Sequence, residues 1–142
     1  MFSRQLCKIQ KEVIDLQNDN NIIYDQDCTL HLDYSKINNL KILDIKDNNV
    51  QLELSIYKYQ QYTTRVFNIN KDINTLIKYF NKFNLFRLEN YFINTSKIIL
   101  VQESEILKDK KLNLEFLFEN GDCIEITTNY KRWDSWSNLR LK

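Results

Sequence analysis

The sequence predicts a mostly β, α+β fold, in which multi-stranded antiparallel β-sheets accompany an N-terminal helix, one central helix and a short C-terminal helix. Apolar and polar residues alternate through residues 50–57, as expected for a strand with one buried face. Two apolar segments flank Asn120-Gly121, a dipeptide typical of β-hairpin turns. Residues 73–83 carry apolar side chains at helical spacing. A hydrophobic share of 43% supplies enough apolar surface for a folded core.

Residues 2–16 predict an amphipathic helix ahead of the β-rich body. Its apolar side chains form a narrow seam, namely Phe2, Leu6, Ile9, Val13 and Leu16. Such a seam packs on the body of the domain, or pairs with the same helix of a second copy to give a homodimer. We therefore expect a single domain over residues 1–142, in which a helix within 1–20 is appended to a β-rich body at 21–142.

Further strands and one helix follow from apolar periodicity and turn residues. Strands are predicted at residues 29–34, 40–46, 50–57, 62–69 and 91–101, the last with a turn at 94–96. Asn70 is expected to cap the central helix at 73–83, with Asp72 in its first turn. Residues 104–111 predict a charged loop. Residues 130–140 predict a helix whose aromatic residues, Tyr130, Trp133 and Trp136, cover the core.

The apolar pattern of residues 112–128 also predicts the register of the hairpin. A three-residue loop at 119–121 places Phe116 opposite Ile124, so that apolar side chains share one face. The same loop places the only glycine, Gly121, at the position that requires a positive φ.

Several kinds of chemistry are not indicated by the sequence. One glycine and no proline exclude a glycine-rich phosphate-binding loop. The cysteines at 7, 28 and 123 are scattered without a CxxC pair, which favours reduced thiols over disulfides or a zinc site. His31 lies in a predicted strand between two leucines and should face away from the core. We expect a protein that is not an enzyme and has neither a metal nor a cofactor.

Charge and hydropathy restrict the cellular setting and the partner. No stretch is long and apolar enough for a signal peptide or a transmembrane helix, so a cytoplasmic protein without a membrane partner is expected. The formal net charge of +1 is smaller than that of most dedicated nucleic-acid binders. Lysine and arginine nevertheless occur near aromatic and asparagine residues after the central helix and at the C-terminus.

Three segments follow the central helix in a recognisable order, namely Tyr91-Phe92-Ile93-Asn94, Ser96-Lys97-Ile98 and residues 120–130. In this order of elements the chain resembles the LytTR family, the β-rich DNA-binding domains of bacterial response regulators. In that last segment four residues fall at the family's spacing, namely Gly121, Ile124, Ile126 and Tyr130. The resemblance covers roughly residues 29–142 and leaves no room for a receiver domain, so it implies a stand-alone transcription regulator.

The resemblance implies that double-stranded DNA is the partner. Six residues are the candidate contacts: Arg87, Asn90, Asn94, Lys97, Lys131 and Arg132. The cationic members would bind phosphates and the asparagines would reach base edges. Leu88, Glu89 and Thr128 stand where the family pattern has a histidine and two arginines.

Three other interpretations fit the same elements. An OB-like barrel would bind single-stranded nucleic acid through Tyr57, Tyr59 and Tyr62. A pleckstrin-like barrel, which ends in a helix bearing a tryptophan, would bind protein or lipid. The nearly neutral charge also suits a non-catalytic protein-interaction module, such as a phage inhibitor or an immunity-type protein.

Overall fold

The computed structural model describes residues 22–24, 29–106 and 110–141. The predicted helix at residues 2–16, its possible role in a homodimer, Cys7 and Cys28 lie outside the described residues. The described strands are β1 (Ile22–Tyr24), β2 (Thr29–His31), β3 (Asn39–Lys46), β4 (Asn49–Lys58), β5 (Gln61–Ile69), β6 (Leu85–Leu88), β7 (Tyr91–Asn94), β8 (Ile98–Ile106), β9 (Lys111–Phe118) and β10 (Cys123–Asn129). The described helices are α1 (Ile73–Asn81) and α2 (Tyr130–Arg140), with short 3-10 turns at Tyr34–Lys36 and Thr95–Lys97.

The strands form three antiparallel sheets. Strands β1 and β2 form a pair, β5-β4-β3-β7-β6 form a five-stranded sheet, and β10-β9-β8 form a three-stranded sheet. The predicted fold class, mostly β with antiparallel sheets and with central and C-terminal helices, is confirmed. Both larger sheets are open and end in edge strands, so the described chain is not a closed barrel. The OB-like and pleckstrin-like barrels are therefore wrong as architectures for it.

Helix α1 covers one face of the five-stranded sheet and encloses the first core. Its Leu76 and Phe80 are buried, and the Phe80 ring meets the Phe92 ring edge to face at 4.8 Å between centroids. The predicted cap was wrong, because Asp72 and not Asn70 accepts the amide hydrogen of Thr75 at 3.2 Å. The Asn70 side chain instead accepts a hydrogen bond from Asn49.

Helix α2 and the three-stranded sheet enclose the second core against the other face of β6 and β7. Both Trp133 and Trp136 are buried and meet Phe116 edge to face, which confirms that they cover the core. The prediction was wrong for Tyr130, which is 45% exposed. Leu88 and Ile93 reach this core from the five-stranded sheet. Burial of these aromatic surfaces joins the two sheets into one packed body.

The register of the β9–β10 hairpin agrees with the prediction. Ile124 lies opposite Phe116 and Ile126 lies opposite Leu114, so the apolar side chains share the inner face. The loop is closed by the Phe118 amide, which donates to the Asp122 carbonyl oxygen at 2.9 Å. Gly121 has φ +92°, as the three-residue loop requires.

Three stretches of the chain differ from the prediction. The strand predicted at residues 29–34 ends at His31, and Tyr34 begins a 3-10 turn instead. Residues 104–106 were predicted as loop, but they continue β8, where they pair with the start of β9. These residues lie in an edge strand, where charged side chains are common. Their charge therefore resembled that of a loop. Strand β6 was not predicted, since four residues are too few to show a period.

The turn of the β9–β10 hairpin is bonded to the five-stranded sheet. The Tyr62 hydroxyl donates to Asp122 Oδ1 at 2.8 Å, and the Asn120 amide donates to the Tyr57 carbonyl oxygen at 3.2 Å. Asp122 is almost fully buried there. Burial, followed by the hydrogen bond to Asp122 and its charge, raises the pKa of Tyr62 to about 12.

Replacing Gly121 with alanine should lower the free energy of unfolding by about 1 kcal/mol, because an L-residue is strained at positive φ. Steric crowding is not the cause, since an added Cβ would meet only Tyr57 Cε2, at 3.7 Å. Urea denaturation measures the change. Gly121→Asn is the control and should lose less, because asparagine tolerates this conformation better. An alanine variant as stable as the parent would contradict the hairpin geometry.

The stability of the protein should fall between pH 10 and 12 in a way that depends on Tyr62. Its pKa is raised from 10.0 to about 12, so the unfolded chain loses this proton at a lower pH than the folded chain. The contribution of Tyr62 to the free energy of unfolding is therefore complete below pH 10 and is lost as the pH approaches 12. Urea denaturation across this range should show a shallower pH dependence for Tyr62→Phe. Parallel curves for the two proteins would count against the Tyr62–Asp122 bond.

Candidate binding cleft

An open cleft of about 1640 Å³ lies where the end of β3, the β6–β7 turn and helix α2 meet. Five of the described residues that line it are cationic, namely Arg87, Lys110, Lys131, Arg132 and Arg140. Two acidic residues, Asp44 and Glu89, also line it. The cationic residues come from separate parts of the chain, and the fold brings them to one place.

Helix α2 positions three of these cations. Asn129 caps the helix, and its side chain accepts the Arg132 amide hydrogen at 2.8 Å, which directs Lys131 and Arg132 into the first turn. Arg140 lies in the last turn, and its guanidinium group stacks over the Phe86 ring at 4.1 Å from the centroid. The Trp136 indole fixes the helix by donating to the Arg87 carbonyl oxygen at 3.0 Å.

Glu89 stands in the turn between β6 and β7. Its backbone is left-handed, with φ +52°, at a hairpin position where glycine or asparagine is usual. Glu89 Oε1 accepts hydrogen bonds from Arg132 Nη1 at 2.7 Å and from the Thr128 hydroxyl at 2.9 Å. The Arg87 Nε–H donates to the Glu89 carbonyl oxygen at 3.1 Å. The turn is thus bonded to both sides of the cleft.

The ionisation of Glu89 follows from these contacts. Burial acts to raise the pKa of this carboxyl group, but the hydrogen bonds from Arg132 and Thr128 and the charges of Arg132 and Arg87 outweigh it. The pKa of Glu89 is therefore held below its ordinary value. Glu89 is a carboxylate at neutral pH, and its charge offsets one of the cations.

The cleft keeps an excess of positive charge. Asp44 pairs with Lys46 at 3.9 Å and Glu89 pairs with Arg132. In the described part of the chain, no carboxylate lies within salt-bridge distance of the other four cations, which are Arg87, Lys110, Lys131 and Arg140. A concave surface lined by such cations concentrates a positive potential and attracts anionic partners.

The cleft also contains exposed apolar side chains. Leu43 and Ile45, from the end of β3, are 40% and 38% exposed, and Leu139 of α2 is 70% exposed. A bulge between Ile42 and Asp44 interrupts the pairing of β3 with β4 at this point. The cleft can therefore offer van der Waals contact as well as charge.

The structure brings four of the six predicted site residues together. Arg87, Asn90, Lys131 and Arg132 all line the cleft. Lys97 does not, because it pairs with Glu119 at 3.5 Å beside the β9–β10 turn. That turn is separated from the cleft by the length of β9, roughly 25 Å for a strand of this size.

Asn94 is engaged in the core of the fold. Its side chain is 1% exposed, donates to the carbonyl oxygens of Tyr34 and Ile37, and accepts from Ser96. These bonds hold the end of β7 against the 3-10 turn that precedes β3. An asparagine at a strand end was a reasonable candidate for DNA contact from sequence, but the partners of this side chain are within the chain.

Several residues of the cleft were not among those candidates. Arg140 could have been found from helical spacing, since Arg132, Trp136 and Arg140 recur every four residues on one face. Lys110 carries no such signal, because its position depends on the pairing of β8 with β9. The direct contact of Glu89 with Thr128 and Arg132 joins positions about forty residues apart and is a purely tertiary feature.

The described residues contain no group of three or more His, Cys, Asp or Glu side chains that could hold a metal ion. Cys123 lies outside the cleft, and burial and Glu115 raise the pKa of its thiol to about 11. None of the described helices has the length and apolar character needed to cross a membrane.

Comparison with protein-family models, with curated proteins and with solved structures found no match. Function is accordingly inferred from the cleft.

Asn94→Ala should lower the free energy of unfolding by about 2 kcal/mol, because two buried carbonyl oxygens lose their donor. Chemical denaturation measures this change. Asn90→Ala is the matched control, since Asn90 is exposed and its backbone carbonyl oxygen, which accepts from the Ile42 amide, is kept in the variant. We expect no change in its stability. Equal stabilities for the two variants would mean that Asn94 is not a structural residue.

Proposed function

We propose that the chain is a non-enzymatic transcription regulator of LytTR-like type that binds double-stranded DNA through the cationic cleft. The convergence of Arg87, Lys110, Lys131, Arg132 and Arg140 carries this proposal. The net charge of the chain is only +1, yet the described residues of this one cleft include five cations and two acids, which is a local excess of positive charge. Such a cluster is the electrostatic footprint expected of a phosphate-binding surface.

The two kinds of contact that DNA requires are both present in the cleft. Lys131 and Lys110 are exposed and can meet phosphates at different angles. The Asn90 side chain is exposed at the β6–β7 turn and can pair with a base edge.

The resemblance to the LytTR family supports the same surface. The helix, the β6–β7 hairpin, the turn into β8 and the final hairpin follow one another in the order that the resemblance implies. The segments that it assigns to DNA contact include the β6–β7 turn and the junction of β10 with α2, and both line the cleft. Where the family pattern has arginines at positions 89 and 128, this chain supplies guanidinium groups from Arg87 and Arg132 nearby.

A protein partner is the second candidate, and the exposed apolar side chains of the cleft favour it. Leu43, Ile45 and Leu139 would pack against apolar side chains, while the cations would bind acidic ones. The partner would then be a protein with a segment that is both acidic and apolar. The two candidates differ in salt dependence, because counterion release makes DNA binding fall steeply as salt rises.

Lys131→Ala should weaken binding to a fluorescent duplex of random sequence and reduce the salt slope of the affinity by about one phosphate contact. Lys97→Ala is the matched control, because it removes the same charge at the far end of the β9–β10 hairpin. Its affinity should stay at the parent value. Fluorescence anisotropy over a range of salt concentrations measures both.

Absence of duplex binding at low salt would reject the DNA proposal, and so would equal losses for Lys131→Ala and Lys97→Ala. Binding of a single protein partner that is lost with Leu139→Ser, without any binding to duplex DNA, would establish the second candidate. Leu139 is a suitable probe because it is 70% exposed and its substitution leaves the core intact.

A further inference from the structure

The Glu89 carboxylate is bound inside the cationic cleft in the way that an anionic ligand would be. Its Oε1 atom accepts from the Arg132 guanidinium group at 2.7 Å and from the Thr128 hydroxyl at 2.9 Å. Charge-assisted bonds to a guanidinium group are the contacts by which proteins hold carboxylates and phosphates alike. The acceptor here belongs to the chain itself.

Thr128 is the more informative of the two donors. Its side chain is 3% exposed, and Glu89 is the acceptor of its hydroxyl hydrogen. A buried hydroxyl group without an acceptor is unfavourable, so an oxygen atom is required at this place. Either the Glu89 carboxylate or an oxygen of an anion from solution can supply it.

The site is accessible to such an anion. The Arg132 side chain is 64% exposed and that of Glu89 is 26% exposed, so solvent reaches the ion pair. The positive charge of Arg87 also acts on Glu89, and Lys131 lines the same cleft. Glu89 itself occupies a two-residue turn with a strained, left-handed backbone, a conformation that does not favour glutamate over other residues.

We propose that Thr128 and Arg132 form a phosphate-binding subsite of the cleft, and that the Glu89 carboxylate occupies it in the free protein as an internal competitor that a DNA phosphate displaces. This inference rests on the proposed DNA-binding function for the identity of the phosphate donor. The subsite itself depends only on the donors and on the carboxylate that they bind. Any polyanion must displace the Glu89 carboxylate before it can bind to the subsite, so Glu89 reduces nonspecific binding to polyanions.

A purely structural role for Glu89 is the competing explanation. The ion pair joins the β6–β7 turn to the start of α2, and in a structural role it would serve only to hold them together. Removal of the Glu89 charge distinguishes the two roles. Loss of a structural bond lowers stability and leaves affinity unchanged or weaker, whereas loss of a competitor increases affinity for anions.

Glu89→Gln removes the charge but keeps an oxygen acceptor for Thr128, and Glu89→Asn also suits the left-handed backbone. The matched control is Glu119→Gln, which removes the same charge from the ion pair with Lys97, outside the cleft. Two probes are used: a fluorescent duplex of random sequence, and inorganic phosphate followed by the amide chemical shifts of residues 128 and 132. Circular dichroism confirms that each variant is folded.

We expect the Glu89 variants to bind the duplex about tenfold more tightly than the parent at low salt, with a salt slope steeper by about one phosphate contact. Inorganic phosphate should shift the signals of Thr128 and Arg132 in a saturable way at lower concentration than in the parent. Glu119→Gln should match the parent in both assays. The double variant with Thr128→Val and Glu89→Gln should lose the increase in affinity that Glu89→Gln alone shows over the parent.

Affinities of the Glu89 variants that equal those of the parent or of Glu119→Gln, for both probes, would overturn the inference. If neither the parent nor any variant binds the duplex, but the Glu89 variants bind inorganic phosphate more tightly than the parent, the subsite stands and the DNA-binding function is rejected. If the parent binds the duplex and the Glu89 variants gain nothing, the function stands and the internal competitor is rejected. If one of the two Glu89 variants, Glu89→Gln or Glu89→Asn, fails to fold, the affinities of the other variant decide between these outcomes.

Discussion

The hydrogen bond from the Trp136 indole to the Arg87 carbonyl oxygen ties helix α2 to an edge of the five-stranded sheet. Around it, Trp133 and Trp136 stack on each other and meet Phe116 edge to face. This packing buries the inner face of α2 and fixes its direction across β6. The cleft exists because of that direction, since the cations of α2 then lie beside Arg87 and the β6–β7 turn. A helix docked elsewhere would leave the same residues scattered over the surface.

Much of the scaffold could be predicted because it depends on local patterns. Alternation between polar and apolar residues determines which face of β4 and of β9 is buried, and the position of Gly121 determines the register of the last hairpin. Asn70 and Asp72 compete for one cap, and the side-chain bond of Asn70 to Asn49 decides between them. That bond joins positions 21 apart and has no local signature.

The site could be predicted only in part, because residue type does not reveal what a side chain contacts. Asn94 and Asn90 are four positions apart and equally polar, yet one is buried among internal hydrogen bonds and the other faces the cleft. In sequence, Glu89 is a departure from a DNA-binding pattern, and the structure places it on Arg132. Two of the described residues with positive φ, Glu89 and Lys110, line the cleft. Local backbone preference and the overall fold conflict there, as they often do at functional sites.

The bond between Tyr62 and Asp122 has a consequence for how the chain reaches its native state. It joins positions 60 apart, and the neighbouring bond between Asn38 and Asn120 joins positions 82 apart. Contacts of this separation require large loops to close before they contribute, which is typical of slowly folding β proteins. We expect each sheet to form before the two are joined, so that the edge of β6 stays uncovered until α2 docks. The cleft is then among the last features to assemble, and a chain emerging from the ribosome lacks its cationic surface until α2 has been synthesised.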